Sequence, residues 1–170
     1  MKDSKIINRF LEYVKIDTQS NEEVLESPSS EGQMKLLHYL QEELISFGVR
    51  NIDMDEKGGI LYAKIPSNTE KDDIKSIGFI AHVDTAPDAS GKNVKPRIIE
   101  NYNGKDIKLN ESVTLKVSEF PEVLEYKNKS LIVTNGTTLL GADDKAGIAE
   151  IMSMVEVIMQ NPEISHGEIC

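Results

Sequence analysis

Disulfides are the first thing this sequence cannot supply, because its 170 residues hold a single cysteine, Cys170, with no intrachain partner. The cross-linked framework of small secreted domains is thereby excluded. Basic residues are scarce as well. The 19 Lys and Arg face 29 Asp and Glu, for a formal net charge of -10, and a surface of that sign repels a nucleic-acid backbone. Long apolar runs are also missing. No stretch approaches the roughly 20 residues that cross a bilayer. The opening MKDSKIINRFLEYVKI sets charges among helically spaced apolar residues and lacks the apolar core and small-residue cleavage site of an export signal. These absences lead to the expectation of a cytoplasmic protein with neither a nucleic-acid nor a membrane partner.

What remains is a globular composition, with 39% apolar and 28% charged residues, eleven Gly, six Pro and no tryptophan. A chain of this length can bury one ordinary core. Ile6, Ile7, Phe10, Leu11 and Val14 lie on one helical stripe and predict a helix over about 3–16. Met34, Leu37, Leu40 and Leu44 predict a second, with Ser29 or Ser30 able to cap its start and Gly48 suited to its exit. The period then changes. GILYAKIP and SIGFIAHVD read as strands joined by the charged, water-facing SNTEKDDIKS, and the second suits the interior of a sheet covered by helices. Residues 85–129 form a long irregular excursion with short strands. SLIVT is another strand, Asn135-Gly136 a turn, and IAEIMSMVEVIM a third helix ending near Asn161-Pro162. The expected fold class is α/β, a mixed sheet flanked by helices. No repeat, low-complexity tract or independent linker interrupts it.

Two short stretches carry chemistry. In HVD, alternation puts His82 and Asp84 on the same side of an extended segment. One imidazole nitrogen could then hold zinc while the other donates to Asp84, which fixes the ring and raises its basicity. A strand end followed by a turn explains the same pair without a metal. In LLGADDKAG, Asp143 and Asp144 stand at a strand-to-helix transition. Asp143 could bridge two zinc ions, one of them also on His82. Asp144 could cap the helix, and Lys145 could offset the local acidity. Capping alone also accounts for both aspartates. His38, His166 and Glu150 read as structural or solvated residues, and Met152, Met154 and Met159 as core.

Together with YVKIDTQS, HVDTAPDASGKNVKP, ENYNGKDI and TNGTTLLGADDKAGIAEIM, these motifs make a chain that resembles the peptidase T family of tripeptide aminopeptidases. That family lies within the wider cocatalytic-zinc group of aminopeptidases, carboxypeptidases and amide deacylases. The resemblance implies that His82 and Asp143 are metal ligands, that Asp143 bridges two Zn2+ ions, and that Asp84 is the catalytic-site acid orienting His82. It also implies a cis connection at Asp144. The family's catalytic glutamate, the glutamate ligand beside it, and a later aspartate and histidine would fall beyond Cys170, and Glu168 does not stand in for them. Residues 1–170 are thus expected to be the N-terminal part of a catalytic domain. The rest of that domain and an inserted dimerisation and lid domain are absent. The implied reaction of the complete protein, a possible homodimer, is release of the N-terminal residue of a tripeptide. The alternatives are a related dipeptidase, carboxypeptidase or deacylase, or a noncatalytic metal-binding or interaction fragment.

Overall fold

The N-terminal apolar stripe forms α1 (Lys5–Tyr13), whose Phe10 and Tyr13 are buried. In α2 (Glu31–Ser46) the i, i+4 series Leu36, Leu40 and Leu44 turns inward. In α3 (Ala142–Gln160) the inward residues are Ile148, Ala149, Met152 and Val155. The structure, a computed structural model, describes residues 4–71 and 73–170; the first two residues of the expected opening helix, 3 and 4, straddle that limit, and Asp72 of the charged connection lies outside it. α1 packs on α3, and α2 reaches both α3 and a β-hairpin, so one aliphatic core lies between the helices and the sheet.

A polar network ties the three helices together. Arg9 of α1 donates through Nε to Glu43 of α2 at 3.1 Å and through Nη2 to Glu156 of α3 at 2.8 Å. The Tyr13 hydroxyl also donates to Glu43, and Lys5 donates to Glu156. Such a network is costly to break from one side, because the remaining buried charge is left without a partner.

The strand ladders are short. β1 (Asn51–Asp55) and β2 (Ile60–Lys64) form an antiparallel hairpin, with Asn51 opposite Lys64. β1 went unread in the sequence because its alternate positions are Asn and Asp rather than β-formers. From the long excursion, β3 (Arg97–Ile99) pairs antiparallel with β6 (Leu131–Val133), the expected SLIVT strand, and β4 (Ile107–Lys108) pairs antiparallel with β5 (Thr114–Leu115). The α/β class therefore holds, but as small open sheets flanked by helices.

The expected interior strand SIGFIAHVD is corrected here. Residues 78–84 join no named strand, and Ile80 is 95% exposed. Their ladder contacts are confined to the two ends. Ile169 bridges Ile65 antiparallel and Ile77 parallel, with Phe79 N–H donating to the Cys170 carbonyl at 2.8 Å. At the far end Gln19 bridges Thr85 in parallel. A strand is stabilised by partners along its length, and between Phe79 and Thr85 this segment has none among the described residues.

One cap differs from expectation. Ser30 occupies the α2 N-cap position without a side-chain cap, and its hydroxyl is buried without a partner. Gln33 instead accepts from the Ser29 N–H at 3.0 Å. Gly48 does end α2, at φ +89. No helix among the described residues is long and apolar enough to cross a membrane.

Hydrogen bonds from Lys5 and Arg9 hold the Glu156 carboxyl at about 2, below its ordinary 4.5, against the opposing effect of burial. Its contribution to stability is complete above 4.5 and is lost as pH falls toward about 2. Glu156→Gln should cost about 2 kcal/mol near neutrality. Denaturant melts at a series of pH values should show the gap to the native chain closing in acid; a gap that stays constant would contradict this.

Candidate metal centre

The first half of the centre is the extended segment ending at His82, and the loop 17–20 fixes that end. Thr85 N–H donates to the Thr18 carbonyl at 3.2 Å, and Ser20 N–H to the Thr85 carbonyl at 2.9 Å. This two-bond ladder sets the backbone on which Asp84 sits. Asp84 Oδ1 lies 3.0 Å from His82 Nδ1, and the Asp84 carbonyl oxygen lies 3.1 Å from the same nitrogen. The other carboxylate oxygen accepts from the Ser20 hydroxyl at 2.9 Å.

The second half is the entry to α3. Gly141 takes φ +74, and Asp143 (φ -92, ψ 106) and Asp144 (φ -120, ψ 30) are not yet helical. The peptide bond between the two aspartates is cis. Asp144 Oδ1 accepts from Gly147 N–H at 3.2 Å, so the capping role read for Asp144 is realised. Asp143 is left projecting, with its side chain 94% exposed, and its Oδ1 stands 2.9 Å from His82 Nε2. Residues 61 positions apart thus meet at one point.

Both ring nitrogens of His82 face carboxylate oxygens, which only accept. The doubly protonated ring is therefore favoured. Burial opposes it, but the hydrogen bond to Asp143 and the charge and hydrogen bond of Asp84 prevail, and the pKa rises above 6.5. The same arrangement fits a cation in place of the Nε2 proton: a neutral imidazole nitrogen and a carboxylate oxygen are both zinc ligands. With Nδ1 directed at Asp84, the lone pair of Nε2 is available. Two donors are only part of a set, and no group of three or more His, Cys, Asp or Glu suited to a metal occurs among the described residues.

Lys145 does not play the part expected of it. Its side chain is buried, not set against the acidic pair, and Nζ donates to the Ile16 carbonyl at 2.7 Å. Burial lowers its pKa to about 8, with Asp17 opposing. His38 and Glu150 are exposed, Met152 is in the core and Met154 and Met159 pack against it. The His166 N–H donates to Asn68, and its ring Nδ1 lies 2.7 Å from the Gly167 carbonyl. Ser20 was not singled out from the sequence; it lies within a turn-forming stretch, and its contact is with a residue 64 positions away. A cavity of about 700 Å3 between α2, α3, β2 and residues 79–84 opens beside the centre, with His82 and Asp84 in its lining.

No protein-family model matches the chain. Curated proteins do. Peptidase T of Clostridium perfringens is 54% identical over 165 residues, which is 97% of this chain and 40% of that protein. Peptidase T of Bacillus subtilis is 56% identical over 167 residues, with 97% and 40% covered. The chain is homologous to peptidase T over nearly its whole length. It spans about two-fifths of the length of the curated peptidase T proteins it matches. Two solved structures are also similar to the chain. The aminopeptidase PepT from Bacillus cereus superposes with a TM-score of 0.62 at 26% identity, covering 97% of this chain and 34% of that one. A tripeptidase from Staphylococcus aureus superposes with a TM-score of 0.58 at 28% identity, with the same coverage.

Gly147 allows Asp144 to cap α3. A Cβ there would sit 2.4 Å from Asp144 Oδ1, so Gly147→Ala should turn the carboxylate away and cost about 1 kcal/mol despite the helix propensity alanine adds. Chemical denaturation checks the sign; a stabilised variant would mean that the cap contributes nothing.

Proposed function

We propose that residues 1–170 are the N-terminal part of the catalytic domain of a zinc-dependent tripeptide aminopeptidase, in which His82 and Asp143 hold metal and Asp84 orients His82. The observation that carries this reading is the approach of His82 Nε2 to Asp143 Oδ1 at 2.9 Å with Asp84 behind the ring. The peptidase T and tripeptidase relatives support the choice of substrate class.

When bound, zinc supplies Lewis acidity toward water and a peptide carbonyl. The residues of this chain supply the rest of its share. Asp84 accepts a hydrogen bond from Nδ1–H, which keeps that proton on Nδ1 and leaves Nε2 free to bind. Asp143, open to solvent, would hold zinc and could be shared with a second ion, as the two-zinc reading requires. Proton transfer is left to a glutamate outside these residues, and a lid and dimer-forming insertion likewise lies outside them. The protein is placed in the cytoplasm, where small peptides are degraded. A second reading, that the 170 residues by themselves are a noncatalytic metal-binding piece, is favoured by the presence of only two converging candidate donors among the described residues.

The isolated chain should release no N-terminal residue from unblocked tripeptides, with or without zinc. Full-length peptidase T of Bacillus subtilis should do so, and alanine at its matches to His82 or Asp143 should lower kcat/KM at least about 100-fold. N-acetylation of the peptide should abolish hydrolysis. If the acetylated peptide is cleaved equally well, a carboxypeptidase or deacylase replaces the proposal; turnover by the isolated chain would refute its incompleteness.

A further inference from the structure

The side chain that orients a metal-binding histidine is effective only if it is itself held still. Asp84 is about half exposed, and a carboxylate open to water can turn away from the ring it serves. Here it has a second tether. Oδ1 faces His82 Nδ1, while Oδ2 accepts from the Ser20 hydroxyl at 2.9 Å. A carboxylate accepts only, so the hydroxyl must be the donor.

Ser20 is also placed firmly. Its own N–H donates to the Thr85 carbonyl at 2.9 Å, one residue from Asp84, and the Gln19 side chain donates to the Pro87 carbonyl at 2.8 Å. Asp17 Oδ1 accepts from Gln19 N–H at 3.2 Å, and the Asp17 carbonyl lies so near Gly32 that a Cβ there would stand 1.7 Å from it. The loop is thus fastened on both sides, and the hydroxyl is presented to Asp84 at a set point.

We infer that Ser20 is a positioning residue of the centre, fixing the Asp84 carboxylate so that the His82 Nδ1 proton is retained and Nε2 is kept for a cation. The inference rests on the metal reading for its purpose, but its geometry can be tested without metal. In the neutral ring, Nδ1–H has two fixed acceptors on Asp84, whereas Nε2–H has only the exposed Asp143. The Nδ1–H tautomer should therefore dominate.

The test uses 15N NMR of the His82 ring in the metal-free chain above its pKa, alongside zinc titration of the same proteins. Ser20→Ala should lower the Nδ1–H to Nε2–H ratio about fivefold, the weight of one hydrogen bond. Ser20→Thr should restore it within twofold. Ser20→Cys keeps the volume with a weak donor and should fall with alanine, which covers the case in which the alanine chain does not fold. In an Asp84→Ala background the Ser20→Ala change should have no further effect, an outcome that a merely structural role does not produce. An unchanged ratio in Ser20→Ala, or an equal loss in both backgrounds, overturns the proposal. The zinc arm reports separately: if His82→Ala and the unsubstituted chain bind zinc alike, the metal reading loses its support while the tautomer result still decides on Ser20.

Discussion

The turn that follows α1, residues 16–20, is the anchor on which both halves of the candidate centre depend. The Ile16 carbonyl receives the Lys145 ammonium two positions beyond Asp143, and the Thr18 carbonyl and Ser20 N–H pair with Thr85 next to Asp84. One short segment therefore sets the distance between the end of an extended segment and a helix start. The Lys145 contact is costly on its own terms, because burial opposes the charge strongly enough to bring its pKa to about 8. α1 can serve as an anchor because Arg9 locks it to α2 and α3 together.

The two acids beside His82 differ in freedom, and that difference suits different tasks. Asp84 is tethered through both oxygens and a neighbouring backbone ladder, whereas Asp143 projects into solvent from a stretch that is not yet helical. A fixed acid can hold a ring in one orientation and tautomer. An open one can adjust to a cation and leave positions for substrate. In the proposed function, a metal would take the place of a proton between His82 Nε2 and Asp143.

Much of the helical layer could be read from the residues in order. The 3.6-residue periodicity that marked Phe10, Leu37, Leu40 and Met152 is a local signal, and those side chains are buried. The turn at Asn135-Gly136 and the end of α3 at Gln160 also follow from local chemistry. The strand assignment of 76–84 did not hold along its length, since apolar residues alone do not make a strand without partners. β1 was missed for the opposite reason: its Asn and Asp positions face water while the hairpin supplies its hydrogen bonds.

By itself the sequence determined which groups were available and which short-range relations they had: His82 and Asp84 two positions apart, Asp143 and Asp144 at a helix entry. Tertiary structure alone decided that Asp143 faces His82, that Lys145 turns inward to Ile16, and that Ser20 holds Asp84. The reason is physical. Backbone dihedrals and side-chain period act over a few residues, whereas contacts between residues 61, 129 and 64 positions apart are set by how the packed helices route the chain between them.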